Sequence, residues 1–199
     1  MIDFKKLKQI YQFSRDLSLK DIQELLEAAQ VKKFEKKSLL IEEGSHKNEL
    51  FLIKKGLVRC VHINEKGDDI TFQLIPENMI VANFDKILYG QQSRFNFEAF
   101  EATHTLSLDY DHMQSIFESN HKFESNRKFF FQKILRNLLS RVESFVLFSP
   151  EQRYLNFIND FPELLHRVPD KHIAHVLGIT PVSLSRIRKR IADKGKKNK

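Results

Sequence analysis

The chain has a single cysteine, Cys60, among its 199 residues. An internal disulfide is therefore excluded, and so is a metal cluster built on cysteine alone. No apolar run approaches the length that spans a membrane, so no membrane partner is expected. The opening stretch MIDFKKLKQIYQFSRD lacks the apolar centre of a secretory leader. These absences together point to the cytoplasm. Enzyme signatures are also missing: there is no G-x-S-x-G, no H-E-x-x-H and no P-loop. No catalytic residue and no cofactor are expected.

A more local absence says what is there instead. From Val182 to Ile191 the chain has no Asp or Glu. The stretch LGITPVSLSRIRKRI, Leu177 to Ile191, starts a helix with Thr180 as cap and Pro181 at the first helical position, where no backbone donor is needed. Leu184, Ile187 and Ile191 recur at helical spacing and form an apolar stripe. Val182, Ser183, Arg186, Lys189 and Arg190 fall on the other side, flanked by Ser185 and Arg188. A helix facing only water usually mixes both charge signs, because opposite charges four apart support it. This face has one sign, so its partner is expected to be anionic.

The residues before it complete a helix-turn-helix pattern. Ile173, Ala174, Leu177, Ile179, Leu184 and Ile187 fill the apolar slots, and Gly178 supplies the tight turn. An ordinary helical hairpin is the bland alternative, and the basic outer face argues against it. From His166 to Lys199 there are ten Lys or Arg against Asp170 and Asp193, a net of +8. The whole chain is +7, which leaves −1 for residues 1–165. A basic segment on a neutral body is the electrostatic footprint of nucleic-acid binding.

Upstream, SLKDIQELLEAA reads as a helix capped by Ser18, with Ile22, Leu25, Leu26 and Ala29 as its buried stripe. From Phe34 the pattern changes to short β-like runs: SLLIEEG, ELFLIKKGLVRCVHINEKGDDITFQLI and FNFEAFEATHTLSL. Lys55-Gly56 and Glu65-Lys66-Gly67-Asp68 are hairpin candidates between them. Such spacing implies an antiparallel barrel or roll. From Phe123 to Phe148 there is no Gly or Pro, and Phe131, Leu135, Leu138, Val142 and Phe145 alternate at steps of four and three. This is the seam of a coiled coil, two heptads long, widened by Phe130, Ile134, Leu139 and Val146. A helix buried within its own domain gives a similar stripe. A homodimer is the expected use, since a single helix-turn-helix makes a small interface and usually works in pairs. Ser149, Pro150 and Gln152 then restart the chain with a capping box. The fold class is therefore expected to be α+β: residues 1–122 an effector domain built on a β-roll, 123–148 a dimerisation helix, and 149–199 a DNA-binding helix-turn-helix domain.

This order of elements resembles the Crp/Fnr superfamily of bacterial transcription regulators. The resemblance is carried by IEEGSHKNELFLIKKGLVRC, by INEKGDDITFQLI, and most specifically by SPEQRYLNFINDFPELLHRVPDKHIAHVLGITPVSLSRIRKRI. It is closest to a subset whose chain stops soon after the second helix of the helix-turn-helix. The resemblance implies a cyclic-nucleotide-binding-like jelly roll, a homodimer, an inverted-repeat operator in double-stranded DNA, a winged-helix-like reading domain and RNA polymerase as a partner. It also implies that Arg186 reads a guanine edge with two hydrogen bonds. Val182 stands where many members carry Glu, and offers only apolar contact. Ser183 reaches a base or a phosphate, while Thr180, Ser185, Arg188 and Lys189 hold the backbone.

The ligand motif departs from the family. Cyclic-nucleotide-binding members carry Gly-Glu, followed about ten residues on by Arg-Ser or Arg-Ala. Here the matching positions read Ala82-Asn83 and Ser93-Arg94. Cyclic AMP is therefore not the expected effector, although Asn83, Ser93 and Arg94 line the place where an unknown small-molecule effector would sit. An iron–sulfur sensor needs several cysteines. A haem sensor needs an axial ligand, and His104, His112 and His121 are scattered. His172 and His175 have a metal-compatible spacing but no Cys or acid pair beside them, so no metal is expected. The alternative class is a ligand-sensing module whose output is a protein contact, with the basic end as its docking surface. The filled helix-turn-helix slots argue against it.

Overall fold

A computed structural model of the chain describes Gln23, residues 27–119 and residues 123–197. The helix expected from Ser18 lies largely outside the described residues. Among the described residues there are eight strands: β1 Gln30–Phe34, β2 Leu39–Ile41, β3 Glu49–Lys55, β4 Val58–Ile63, β5 Asp69–Ile75, β6 Ile80–Ala82, β7 Asn96–Ala99 and β8 Thr103–Asp109. A short helix, α1 Phe84–Tyr89, interrupts them. Six helices follow: α2 Tyr110–Ser119, α3 Phe123–Leu147, α4 Pro150–Asp160, α5 Leu164–Arg167, α6 Asp170–Leu177 and α7 Pro181–Lys197. The class is α+β, as expected. No strand follows β8 among the described residues, and the C-terminal part is helical, as the short-tailed subset of the resemblance implies.

The strands form two four-stranded sheets, ordered β1-β8-β3-β6 and β2-β7-β4-β5. In the first, antiparallel pairing sets Gln30 opposite Ser107 and Leu52 opposite Leu106. β3 and β4 belong to different sheets, so Lys55-Gly56 is a corner between sheets and not the hairpin turn expected. Gly56 has φ +106°, and a Cβ there would stand 2.5 Å from Thr103 Oγ1 and 2.7 Å from the Ala102 carbonyl oxygen. Only glycine fits both demands. The second expected hairpin is present. Asn64 N–H donates to the Asp68 carbonyl at 3.0 Å, and Gly67 takes φ +81° between β4 and β5.

The chain divides into two compact units: residues 1–60 with 75–137, and residues 61–74 with 138–199. In the first, Leu40, Ile41, Phe51, Ile53, Val58 and Ile75 are buried together between the sheets. Alternation along β8 turns Thr103, Thr105 and Ser107 inward, so one wall of this core is hydroxylic. Arg59 on β4 donates from Nε and Nη2 to the two oxygens of Glu98 on β7, each at 3.1 Å. Such a two-point pair fixes register as well as charge.

The second unit has its own core of Tyr154, Phe157, Leu164, Ile173, Ala174, Leu177, Leu184 and Ile187, all buried. Its helices close their ends with their own groups. Ser149 Oγ accepts from Gln152 N–H at 3.3 Å and Gln152 Oε1 accepts from Ser149 N–H at 2.9 Å, the expected capping box around Pro150. Residues 61–74, the greater part of the β4–β5 hairpin, belong to this unit and are fastened to α6. Thr71, fully buried, donates its N–H to His175 Nδ1 at 3.2 Å, and its hydroxyl lies 2.7 Å from His172 Nδ1. Lys171 Nζ pairs with Asp69 at 2.5 Å.

Candidate nucleic-acid interface and ligand cassette

The C-terminal pattern folds as the apolar slots dictate. Ile173, Ala174 and Leu177 of α6 and Leu184 and Ile187 of α7 are buried, and Ile179 between the helices is half-buried. Gly178 ends α6 with φ +64°, where its N–H and that of Ile179 meet the Ala174 carbonyl. Thr180 then caps α7: its Oγ1 accepts from Ser183 N–H at 3.1 Å. The same oxygen lies 3.0 Å from Ser183 Oγ, so both hydroxyls are partly committed to the helix start.

The outward face separates into three groups. Val182, Ser185, Arg186 and Lys189 are exposed, and neither cation makes an ion pair among the described residues. Arg188, expected at a phosphate, is paired within the unit. Its Nη1 lies 2.7 and 2.8 Å from the two Asp170 oxygens, its Nε donates to the Tyr154 hydroxyl at 3.0 Å, and its guanidinium lies over the Tyr154 ring. It ties α7 to the start of α6 and to α4. Arg190 and Lys194 are held by Glu151 at 2.9 and 2.8 Å. A shallow groove runs between the start of α4 and α7, lined by Glu151, Gln152, Ser183, Arg186 and Arg190.

On the long helix α3, Leu135, Leu138 and Val142 are each more than half exposed, at 57, 54 and 59%. They leave an apolar stripe without cover. The side chain of Phe131 lies outside the described residues. Phe145 has a second attachment: its ring lies against Gly178, between the guanidinium groups of Arg141 and Arg153. Arg153 also donates to the Leu177 carbonyl at 3.1 Å and to the Phe148 carbonyl at 2.9 Å. Phe145 thus joins the end of the long helix to the turn of the helix-turn-helix.

In the first unit, Asn83, Ser93 and Arg94 come together around α1. Asn83 is buried; its Oδ1 accepts from Lys86 N–H at 3.1 Å and its Nδ2 donates to the Ser45 carbonyl at 3.1 Å. Ser93 is also buried, and its hydroxyl donates to the Phe95 carbonyl at 2.7 Å. Arg94 points the other way and is 70% exposed, yet its charge is matched. Asp85, in the first turn of α1, accepts from Arg94 Nη2 at 2.9 Å, Nε at 3.0 Å and N–H at 3.1 Å. Burial pushes the Asp85 carboxyl up, but these donors and the Arg94 charge outweigh it and hold the group below its ordinary range. The place where the resemblance sets a ligand phosphate is bordered by the chain's own carboxylate.

Residues 31–120 match the cyclic nucleotide-binding domain model. The anaerobic regulatory protein of Bacillus subtilis is 33% identical over 85 residues, which are 42% of this chain and 35% of that protein. The match therefore spans about a third of the curated relative's length. Among solved structures, FixK2 of Bradyrhizobium japonicum superposes with a TM-score of 0.70 at 14% identity, covering 84% of this chain and 86% of that one. The c-di-GMP-responsive global regulator CLP of Xanthomonas campestris gives 0.66 at 11% identity, over 89% and 93%. Agreement over most of both chains bears out the fold that the resemblance implies. Among the described residues no helix is long and apolar enough to cross a membrane.

Several residues of these sites escape the sequence pattern. Asp85, Glu151 and Asp170 carry a weak signal, an acid in the first turn of a helix. Tyr154 and Arg153 carry none, because their partners lie far along the chain.

Proposed function

We propose that the protein is a dimeric, sequence-specific DNA-binding transcription regulator whose activity does not require cyclic AMP. The observation that carries this reading is the exposed face of α7, with Val182, Arg186 and Lys189 outward and a filled apolar seat beneath. Arg186 reads a base edge, Val182 contacts a thymine methyl, and Lys189 and Ser185 meet the phosphate backbone. Thr180 and Ser183 order the helix start. Arg188 acts as a positioning residue, since Asp170 and Tyr154 hold its guanidinium.

The homodimer forms along Phe131, Leu135, Leu138 and Val142, with Phe145 at the seam's end passing the position of α3 to the turn at Gly178. Two α7 helices then enter successive major grooves about 34 Å apart, and the operator is an inverted repeat. RNA polymerase is the partner through which such a regulator acts. The cyclic-AMP-independent reading is supported by Asn83 and Ser93 being spent on local hydrogen bonds and by Arg94 being paired with Asp85.

The test is binding of the full chain to a randomised operator library. Arg186→Ala is expected to relax the preference at one base pair and to cost about 1–3 kcal/mol per half-site. An unchanged preferred sequence would overturn Arg186 as the reader. Absence of DNA binding by the wild-type protein would leave the protein-contact module as the better reading.

A further inference from the structure

Arg186, Lys189, Arg190 and Lys194 stand together on α7 around one shallow depression, with Asp193 also on its rim. Two of them are committed elsewhere. Glu151 Oε2 takes Arg190 Nη1 at 2.9 Å, and Glu151 Oε1 takes Lys194 Nζ at 2.8 Å. One carboxylate thus occupies both cations, one on each oxygen. The acid is the fixed partner. It follows Ser149 and Pro150 in the capped first turn of α4, and its side chain is only 20% exposed. The cations are the mobile partners, 59 and 65% exposed on long stems. Hydrogen bonding from Lys194, then from Arg190, holds the Glu151 carboxyl below its ordinary range, so it stays ionised at neutral pH.

We propose that Glu151 is a specificity-determining residue that competes with DNA phosphate for Arg190 and Lys194 and so keeps sequence-independent affinity low. This rests on the DNA-binding reading above. Phosphate contacts position a protein without reading sequence, and each adds to affinity on any DNA through counterion release. On the operator, Arg186 fixes the register of α7, and the reach of Arg190 and Lys194 is fixed with it. On random DNA no register is imposed, and a free cation finds a phosphate anywhere. A resident carboxylate therefore penalises random DNA more than the operator. Arg186 and Lys189 are left as the active cations.

The experiment compares wild type with Glu151→Gln on the selected operator and on a scrambled duplex over a range of salt. Glu151→Gln is expected to steepen the salt dependence on scrambled DNA by about 0.9 per released contact, and to raise affinity there by about tenfold at 0.1 M salt. Operator affinity is expected to rise less, so the ratio between the two falls. Adding Arg190→Ala and Lys194→Ala to Glu151→Gln should return the slope to the wild-type value. A merely structural role for Glu151 would lower affinity on both duplexes and leave the slope unchanged, and that result overturns the proposal. A wild-type protein that binds neither duplex overturns the DNA-binding reading itself.

Discussion

A Cβ on Gly178 would stand 2.6 Å from Phe145 Cε1, so the turn of the helix-turn-helix and the last turns of the long helix are in direct contact. Gly178 is also at φ +64°. Gly178→Ala therefore meets two costs, about 1–2 kcal/mol for the left-handed conformation and about 1–3 kcal/mol for overpacking. Urea unfolding followed by far-ultraviolet circular dichroism should show a loss of about 2–5 kcal/mol. Adding Phe145→Ala removes the ring and should recover part of the second cost only. Full additivity of the two changes would mean that the contact is absent.

Leu138→Glu places a charge in the exposed stripe of α3. In a monomer this substitution is close to neutral, because Leu138 is 54% exposed. In a dimer sealed along that stripe it buries an unpaired charge and costs several kcal/mol. Analytical ultracentrifugation at micromolar concentration should show wild-type dimers and Leu138→Glu monomers. Monomers in both samples would sink the dimer.

Arg188 and Lys189 are neighbours in sequence with different expected signatures. Lys189→Ala should weaken binding to all DNA alike and reduce the salt slope by about one. Arg188→Ala should lower the thermal midpoint of the protein, since it strips Asp170 and Tyr154 of their partner, and leave the slope at its wild-type value. A reduced slope for Arg188→Ala would return it to the phosphate contacts.

The Asp85–Arg94 pair has a defined pH signature. The folded carboxyl of Asp85 lies below its ordinary range, so the stability it contributes is present above the unfolded value and is lost as pH falls through the folded one. Asp85→Asn should flatten the acid limb of the stability curve in that window and leave stability above it less dependent on pH. Isothermal titration with cyclic AMP supplies the functional arm: no micromolar binding to wild type is expected. Tight binding would refute the cyclic-AMP-independent reading.

Thr71 N–H donates to His175 Nδ1, which can accept only while that nitrogen is unprotonated. His175→Phe removes the acceptor and should open this bond, beside the Asp69–Lys171 pair. Hydrogen exchange at the Thr71 amide should speed up in His175→Phe and stay slower in His175→Gln, whose side-chain oxygen can accept. An amide equally protected in wild type and His175→Phe would show that the histidine is not what holds the hairpin.

Local chemistry explains which of these features were legible beforehand. The caps at Thr180 and Ser149, the turn at Gly178 and the buried slots of α6 and α7 depend on residues within four positions of one another. Periodicity and capping rules read them directly. The same rules placed the strands but mistook the Lys55-Gly56 corner for a hairpin, because a glycine turn looks alike whether the next strand pairs with the last or crosses to another sheet. The partners of Arg188 are hidden from the sequence for the opposite reason. Its partners Asp170 and Tyr154 are 18 and 34 residues away, and nothing local marks a guanidinium as already taken. Ser93-Arg94 was read by its inverted order. The carboxylate of Asp85 that answers Arg94 came into view only when α1 and the loop before β7 were brought together.

The pairing of β1 with β8 has a consequence in time. Gln30 must find Ser107, and Phe34 must find Thr103, across some seventy intervening residues before the first sheet can close. The contacts that assemble α6 and α7 span a turn of a few residues. Chain closure over long separations slows folding, whereas local helical contacts form quickly. Refolding from urea should therefore be biphasic, with a fast rise in helical signal from the C-terminal unit and a slower phase as the roll closes. During synthesis the order is reversed: the slow-folding roll leaves the ribosome before the faster-folding helices of the C-terminal unit.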